Sequence, residues 1–318
     1  MRYRQRHTTN LVTFIQVLMI SLASSLLLGC GNKKDQPQHK EKLNIVTTTG
    51  MIQDAVAEVA GDRADVIALM GPGVDPHLYK ATQGDLQKLT DADIVFYNGL
   101  HLEGKMGEVL EKLGRTKPVI AVSAGIPDSL LRTVPGFQGT HDPHIWFDVK
   151  LWEHAVTAIS NFLNQYDSAH ASEYSHRSTL YKAKLDSLHG AVKQTLQQIP
   201  EQQRVLITAH DAFGYFGDAY NVHVRGLQGI STVSEFGLKD VTDLVNFIID
   251  RKIKAIFVET SVSKRSIEAV VEGCRQKNWN VVIGGSLYSD AMGPAETPEG
   301  TYIGMVHANV KTIVDALK

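Results

Sequence analysis

The 318-residue sequence predicts an α/β protein of two lobes with four strands each in parallel sheets, and a long helix between them. Three observations carry this. From Leu43 onward, short β-rich runs alternate with amphipathic stretches. The alternation begins afresh after Pro200. The stretch between reads as helix, with no proline and a single glycine, Gly190.

In the first half, Leu43–Thr47, Val66–Met70, Ile94–Tyr97 and Val119–Val122 read as buried strands. Met51, Ile52, Ala55, Val56, Val59 and then Met106, Val109, Leu110, Leu113 recur at helical spacings of three and four. Strand–helix alternation of this kind builds βαβ units and a parallel sheet. In the second half, Arg204–Thr208, Val222–Gly226, Ala255–Val258 and Val281–Ile283 are strand candidates. The last three are separated by stripes at Val241, Leu244, Val245, Ile248 and at Ile267, Val270, Val271, Cys274. Between the halves, Asp148–Asn164 and Ser172–Gln198 read as helices. The second carries a continuous apolar stripe: Tyr181, Leu185, Leu188, Val192, Leu196, Ile199. At ~1.5 Å per residue it spans roughly 40 Å, the reach of a stiff spacer between lobes, although the local pattern suits an ordinary packed helix equally well.

The first thirty residues stand apart. Arg2, Arg4 and Arg6 precede an apolar run, Leu11 to Leu28, which ends in Leu27-Leu28-Gly29-Cys30. This is the layout of a secretory leader that ends in a cysteine. It resembles a bacterial lipoprotein signal, which implies acylation of Cys30 and a membrane anchor. A plain transmembrane anchor is the alternative, but the run is short and broken by polar residues. Residues 31–42 have almost no apolar side chain and read as a flexible tether. The expected organisation is leader 1–30, tether 31–42, first lobe 43–170, connecting helix 171–199 and second lobe 200–318.

Removing three leader arginines from 32 basic residues leaves 29 against 34 acidic ones, a net charge of about −5. With no basic patch, nucleic acid is not an expected partner. Once Cys30 is acylated, Cys274 has no partner for a disulfide, and its apolar stripe predicts a buried thiol.

Among thirteen histidines, a repeated tripeptide draws notice: Asp75-Pro76-His77 and Asp142-Pro143-His144. Proline fixes φ and keeps the residue before it extended, so each imidazole is presented from a stiff loop, as a metal ligand requires. His210 closes the strand that begins at Arg204, at its carboxyl end. Asp290 follows the last strand by a few residues. Carboxyl ends of parallel strands are where such sheets bind ligands. Three imidazoles and one carboxylate form a donor set suited to zinc, manganese or iron. Asp211 and Glu259 are candidates to orient an imidazole N–H. His141 is a lesser ligand candidate, and His101 and His307 read as packing or hydrogen-bonding residues. Trp146, Phe213, Tyr215 and Tyr288 flank the set.

The blocks GPGVDPHLYKAT, NGLHLEGKM, DPHIWFDVKLW, VLITAHDAFGYF and GGSLYSDAMG, in this order, resemble the zinc- and manganese-binding lipoproteins of bacterial ABC importers, the TroA type. The resemblance runs from about Leu43 to the C-terminus. It implies two (β/α)4 lobes with parallel sheets, a rigid backbone helix and a metal ion buried between the lobes. The ligands carry over onto His77, His144, His210 and Asp290. It implies an ABC permease and its ATPase as partners, Zn2+ or Mn2+ as transported ligand, an extracytoplasmic location and no catalysis; monomer is the default state. Histidine at the third ligand position matches the zinc or mixed branch. The long His-rich loop of many zinc-specific relatives is missing, which leaves manganese or iron open. The rival reading, a zinc-dependent envelope hydrolase, lacks a His-Glu-x-x-His motif and an open coordination position. A surface adhesin finds no repeats or stalk in its support.

Overall fold

The computed structural model describes residues 42–134 and 139–318. The leader, the tether up to Glu41 and Cys30 lie outside the described residues.

The first lobe is built on β1 (Leu43–Thr47), β2 (Ala64–Ala68), β3 (Ile94–Tyr97) and β4 (Val119–Ala121). They form one parallel sheet in the order β2-β1-β3-β4. Helices α1 (Gly50–Ala60), α2 (Gln83–Asp91) and α3 (Gly107–Leu113) supply the crossovers. The start of α2 is set locally: Thr82 Oγ1 accepts the Asp85 N–H at 3.2 Å, and Asp85 returns the bond to the Thr82 N–H at 2.9 Å.

The second lobe carries β5 (Val205–His210), β6 (His223–Gln228), β7 (Ala255–Glu259) and β8 (Val282–Leu287). They form two parallel ladders, β5–β6 and β7–β8, with β5 packed beside β7. Around them lie α6 (Gly214–Tyr220), α7 (Leu238–Asp250), α8 (Arg265–Gln276) and α9 (Tyr302–Leu317). The thiol of Cys274 is buried in the apolar cluster of this lobe, as its stripe predicts.

Between the sheets lie α4 (Val149–Tyr166) and the 26-residue α5 (Ala171–Leu196). Asp148 caps α4, its carboxylate accepting the N–H groups of Lys150 and Leu151. α5 buries the predicted stripe, extended backward through Ser178 to Tyr174. Its first half is pinned to the first lobe. Tyr181 donates to Asp54 at 2.8 Å, and Arg177 donates to the Glu58 carbonyl at 2.9 Å. Past its end, Gln198 accepts from Lys318 at 3.1 Å. One apolar cluster runs from Ile45 through Trp152 and Leu188 to Tyr302 and Leu317. Removing a side chain such as Trp152, which has no exposed surface, would cost about 3–5 kcal/mol. No described helix is long and apolar enough to cross a membrane.

Candidate metal centre

The topology sends the carboxyl ends of both sets of strands toward one point. His77 sits in the loop after β2, His144 just before α4, His210 at the last position of β5, and Asp290 in the loop after β8. All four are buried, and one ligand atom from each lies within 4.8 Å of the others.

The separations have the scale of a coordination sphere. Nε2 of His77 is 3.3 Å from Nε2 of His144. Asp290 Oδ2 is 3.2 Å from His210 Nε2 and 3.7 Å from His77 Nε2, while Oδ1 is 3.4 Å from His144 Nε2. Nitrogen ligands about 2.0–2.1 Å from a tetrahedral ion stand about 3.3 Å apart, so the set encloses a space of ionic size. Nε2 of His210 and both Asp290 oxygens are buried with no well-directed hydrogen bond among the described residues, so they face one another across the enclosed space.

Each histidine is held from behind, in a different way. Asp75 Oδ1 accepts the backbone N–H of His77 at 2.9 Å, and Asp142 Oδ1 accepts that of His144 at 3.0 Å. The two Asp-Pro-His tripeptides thus fold into the same turn, in which the aspartate caps the peptide two residues on. Asp142 Oδ1 also lies 2.7 Å from Nδ1 of its histidine ring. Asp75 instead turns its Oδ2 to the hydroxyl of Thr232, 2.7 Å away. For His210, Glu259 at the end of β7 accepts the backbone N–H through Oε1 at 2.9 Å and brings Oε2 to 2.6 Å from Nδ1.

These partners divide the imidazoles electrostatically. Burial pushes His77 down to about 4, against the pull of Asp290. Burial also opposes charge on His144, but Asp142 and Asp290 together outweigh it and raise the ring to about 9. For His210, burial is outweighed by Glu259 and Asp290, and the ring rises well above the usual range. Burial alone would raise Asp290; the facing His210 and His144 rings hold it well below the usual carboxylate range. In the metal-free protein Nε2 of His144 lies 3.3 Å from Nε2 of the neutral His77 and 3.4 Å from Asp290 Oδ1. A metal ion must displace the protons of His144 and His210.

Of the two residues expected to orient imidazoles, Glu259 does so. Asp211 makes no hydrogen bond to any of the three rings; it follows His210 along the chain and lines a cavity that His77 also borders. Asp142, absent from that expectation, takes the corresponding place on His144. The signal was its position two residues before a candidate ligand, but Asp75 shares that position and does not reach its ring. His141 stands outside the group, 2.9 Å from Asp128. Trp146 donates its indole N–H to the Ser289 carbonyl at 3.0 Å, bracing the peptide before Asp290. Tyr302 donates to the Trp146 carbonyl at 2.7 Å.

Comparison with known proteins gives the family. A family model described as ZnuA, zinc-uptake complex component A, periplasmic, matches residues 45–316. The manganese-binding lipoprotein MntA of Bacillus subtilis is 48% identical over 300 residues, 94% of this chain and 97% of that protein. The zinc-binding protein TroA of Treponema pallidum is 48% identical over 273 residues, 86% of this chain and 88% of TroA. The solved structure of TroA superimposes with a TM-score of 0.84, covering 87% of this chain and 99% of that one. The iron-binding protein YfeA of Yersinia pestis is 30% identical over 300 residues, 94% of this chain and 93% of YfeA. The chain belongs to this family, the extracytoplasmic metal-binding components of ABC metal importers.

Proposed function

We propose that His77, His144, His210 and Asp290 bind one Zn2+ or Mn2+ ion between the lobes and release it to an ABC permease driven by its ATPase. The observation that carries this is the convergence of three Nε2 atoms and one carboxylate within 4.8 Å, all buried. In this reading residues 43–170 and 200–318 supply the two sides of the site, 171–199 the spacer, and acylated Cys30 anchors a monomer to the membrane outside the cytoplasm.

The site binds without turnover. Four protein ligands fill a tetrahedral sphere, and the nearest carboxylates, Asp142 and Glu259, are already committed to ring nitrogens. The donor set favours zinc over manganese in raw affinity. Both oxygens of Asp290 face ring nitrogens, so a second carboxylate bond is within reach for a five-coordinate ion such as manganese. Availability outside the cell then decides which metal is carried.

The test uses the full chain, purified in detergent and stripped of metal. Calorimetry with Zn2+ and with Mn2+ should give one tight site for each, with zinc the tighter. His77→Ala and Asp290→Ala should abolish both. Retention of one-site binding in both variants, or hydrolysis of ester or phosphate substrates by the zinc-loaded protein, would overturn the reading.

A further inference from the structure

His77 is the ligand at the edge of the site. It borders a cavity of about 500 Å³ whose walls include Leu100, His141, Asp211, Ile230 and Val233; His144, His210 and Asp290 do not line it. The second-lobe wall is the loop between β6 and α7. In that loop the run from Val233 to Gly237 is exposed, whereas Thr232 is tucked inward and buried.

Thr232 reaches across to the other lobe. Its hydroxyl donates to Asp75 Oδ2 at 2.7 Å, and Asp75 Oδ1 in turn holds the His77 backbone N–H at 2.9 Å. One carboxylate therefore joins the wall of the cavity to the ligand that borders it. The loop is tied to the end of β6, where Gln228 Nε2 donates to the carbonyls of both Thr232, at 2.7 Å, and Ser234. On the opposite side the His77 loop lies against the second lobe at Gly73. There φ is +72°, and a Cβ would stand 3.4 Å from the Thr260 carbonyl.

We propose that metal leaves through this cavity and that the Thr232–Asp75 hydrogen bond is the latch that keeps its wall closed. The inference rests on the metal-binding reading above and assigns a residue to its release step. Breaking the latch frees the wall and, through Asp75, loosens the backbone of His77, so the ion loses its outermost ligand as the way out opens. Thr232 touches no ligand itself; it acts through Asp75 as a positioning residue.

The test is a chase experiment on the full chain in detergent. Protein loaded with Zn2+ is mixed with excess chelating dye and the release rate is read in the wild type, Thr232→Val, Thr232→Ala and Thr232→Ser. A hydrogen bond to a carboxylate, partly replaced by water once lost, predicts release about tenfold faster in the valine and alanine variants. The serine variant, which keeps the hydroxyl, should release near the wild-type rate. Thermal melts of the metal-free proteins should differ by no more than about 2–5 °C, separating a latch from a general loss of fold. Equal release rates in all four proteins, or a serine variant as fast as valine, would overturn the latch. A wild type that never retains zinc would instead overturn the site on which the latch depends.

Discussion

Glu259 grips His210 at both ends, one carboxylate oxygen on its backbone N–H at 2.9 Å and the other 2.6 Å from its ring Nδ1. Asp142 grips His144 in the same two places with a single oxygen, at 3.0 and 2.7 Å. The two devices arise differently, one from a neighbouring strand and one from two residues earlier in a turn. Their effect is alike: the ring is locked with Nε2 forward, and the anion behind makes that nitrogen a better donor to a metal.

Glu259→Gln keeps an oxygen for the backbone N–H but removes the charge behind Nδ1. Zinc affinity, measured by competition with a chelating dye, should fall about 10- to 100-fold, with the melting temperature of the metal-free protein little changed. An unaltered affinity would mean that the carboxylate matters only for the fold.

The divided imidazoles set a proton count. At pH 7 the metal-free site holds protons on His144, raised to about 9, and on His210, raised well above its usual value, but none on His77, lowered to about 4. Zinc binding should release about two protons, read from calorimetry in buffers of different ionisation heat. Apparent affinity should then rise with pH up to about 9, by about tenfold per pH unit for each proton displaced. The sign for stability is the opposite in the metal-free protein. A folded value raised above the ordinary one gives a contribution fully present below about 6.5 and lost as pH rises toward 9. The gain in melting temperature on adding zinc should therefore widen between pH 6.5 and 9. A gain that stays level across this window would contradict the protonated resting site.

Much of this was legible in the sequence because it depends on periodicity and chain position. Strands such as Leu43–Thr47 and Ile94–Tyr97 appear with their predicted bounds, and the stripe from Tyr181 to Leu196 is the buried face of α5. His77, His144, His210 and Asp290 come together because each follows or ends an element whose carboxyl end faces the same point. What escaped depends on direction rather than spacing. Asp75 and Asp142 sit in identical tripeptides, yet only a three-dimensional neighbour, Thr232, draws one of them away from its ring. Asp211 adjoins His210 in the chain but lines the neighbouring cavity and meets no ring. The C-terminal helix α9 buries Asn309 within its apolar face. That side chain, polar within an apolar stripe, is spent on both backbone groups of Tyr288, at 2.9 and 2.7 Å.

Trp146 should report on the site. Its ring centroid is 5.3 Å from that of His144, and its indole N–H braces the Ser289 carbonyl. Exchange of an imidazolium proton for a metal ion alters the field on the indole, so zinc should change the emission of the wild type. Trp146→Phe, with Trp152 and Trp279 still present, should lose that change. It should also bind zinc about fivefold more weakly, the equivalent of one neutral hydrogen bond. A metal-dependent signal that survives in the variant would place its source at another tryptophan.

The spacer helix offers a stability change separable from metal. Gly190 is exposed within α5, and a Cβ built there meets nothing within 4 Å. Its φ is not among the positive ones, so alanine fits the helix without strain. Glycine inside a helix costs roughly 0.5–1 kcal/mol relative to alanine, because the unfolded chain loses more freedom. Gly190→Ala should therefore raise the melting temperature by about 1–4 °C in the metal-free and zinc-bound proteins alike. Zinc affinity should stay within about twofold, because the helix is pinned through Tyr181 and Gln198 rather than through residue 190. Altered affinity at raised stability would show that bending at Gly190 belongs to the binding cycle, and that α5 works as a hinge rather than as a stiff spacer.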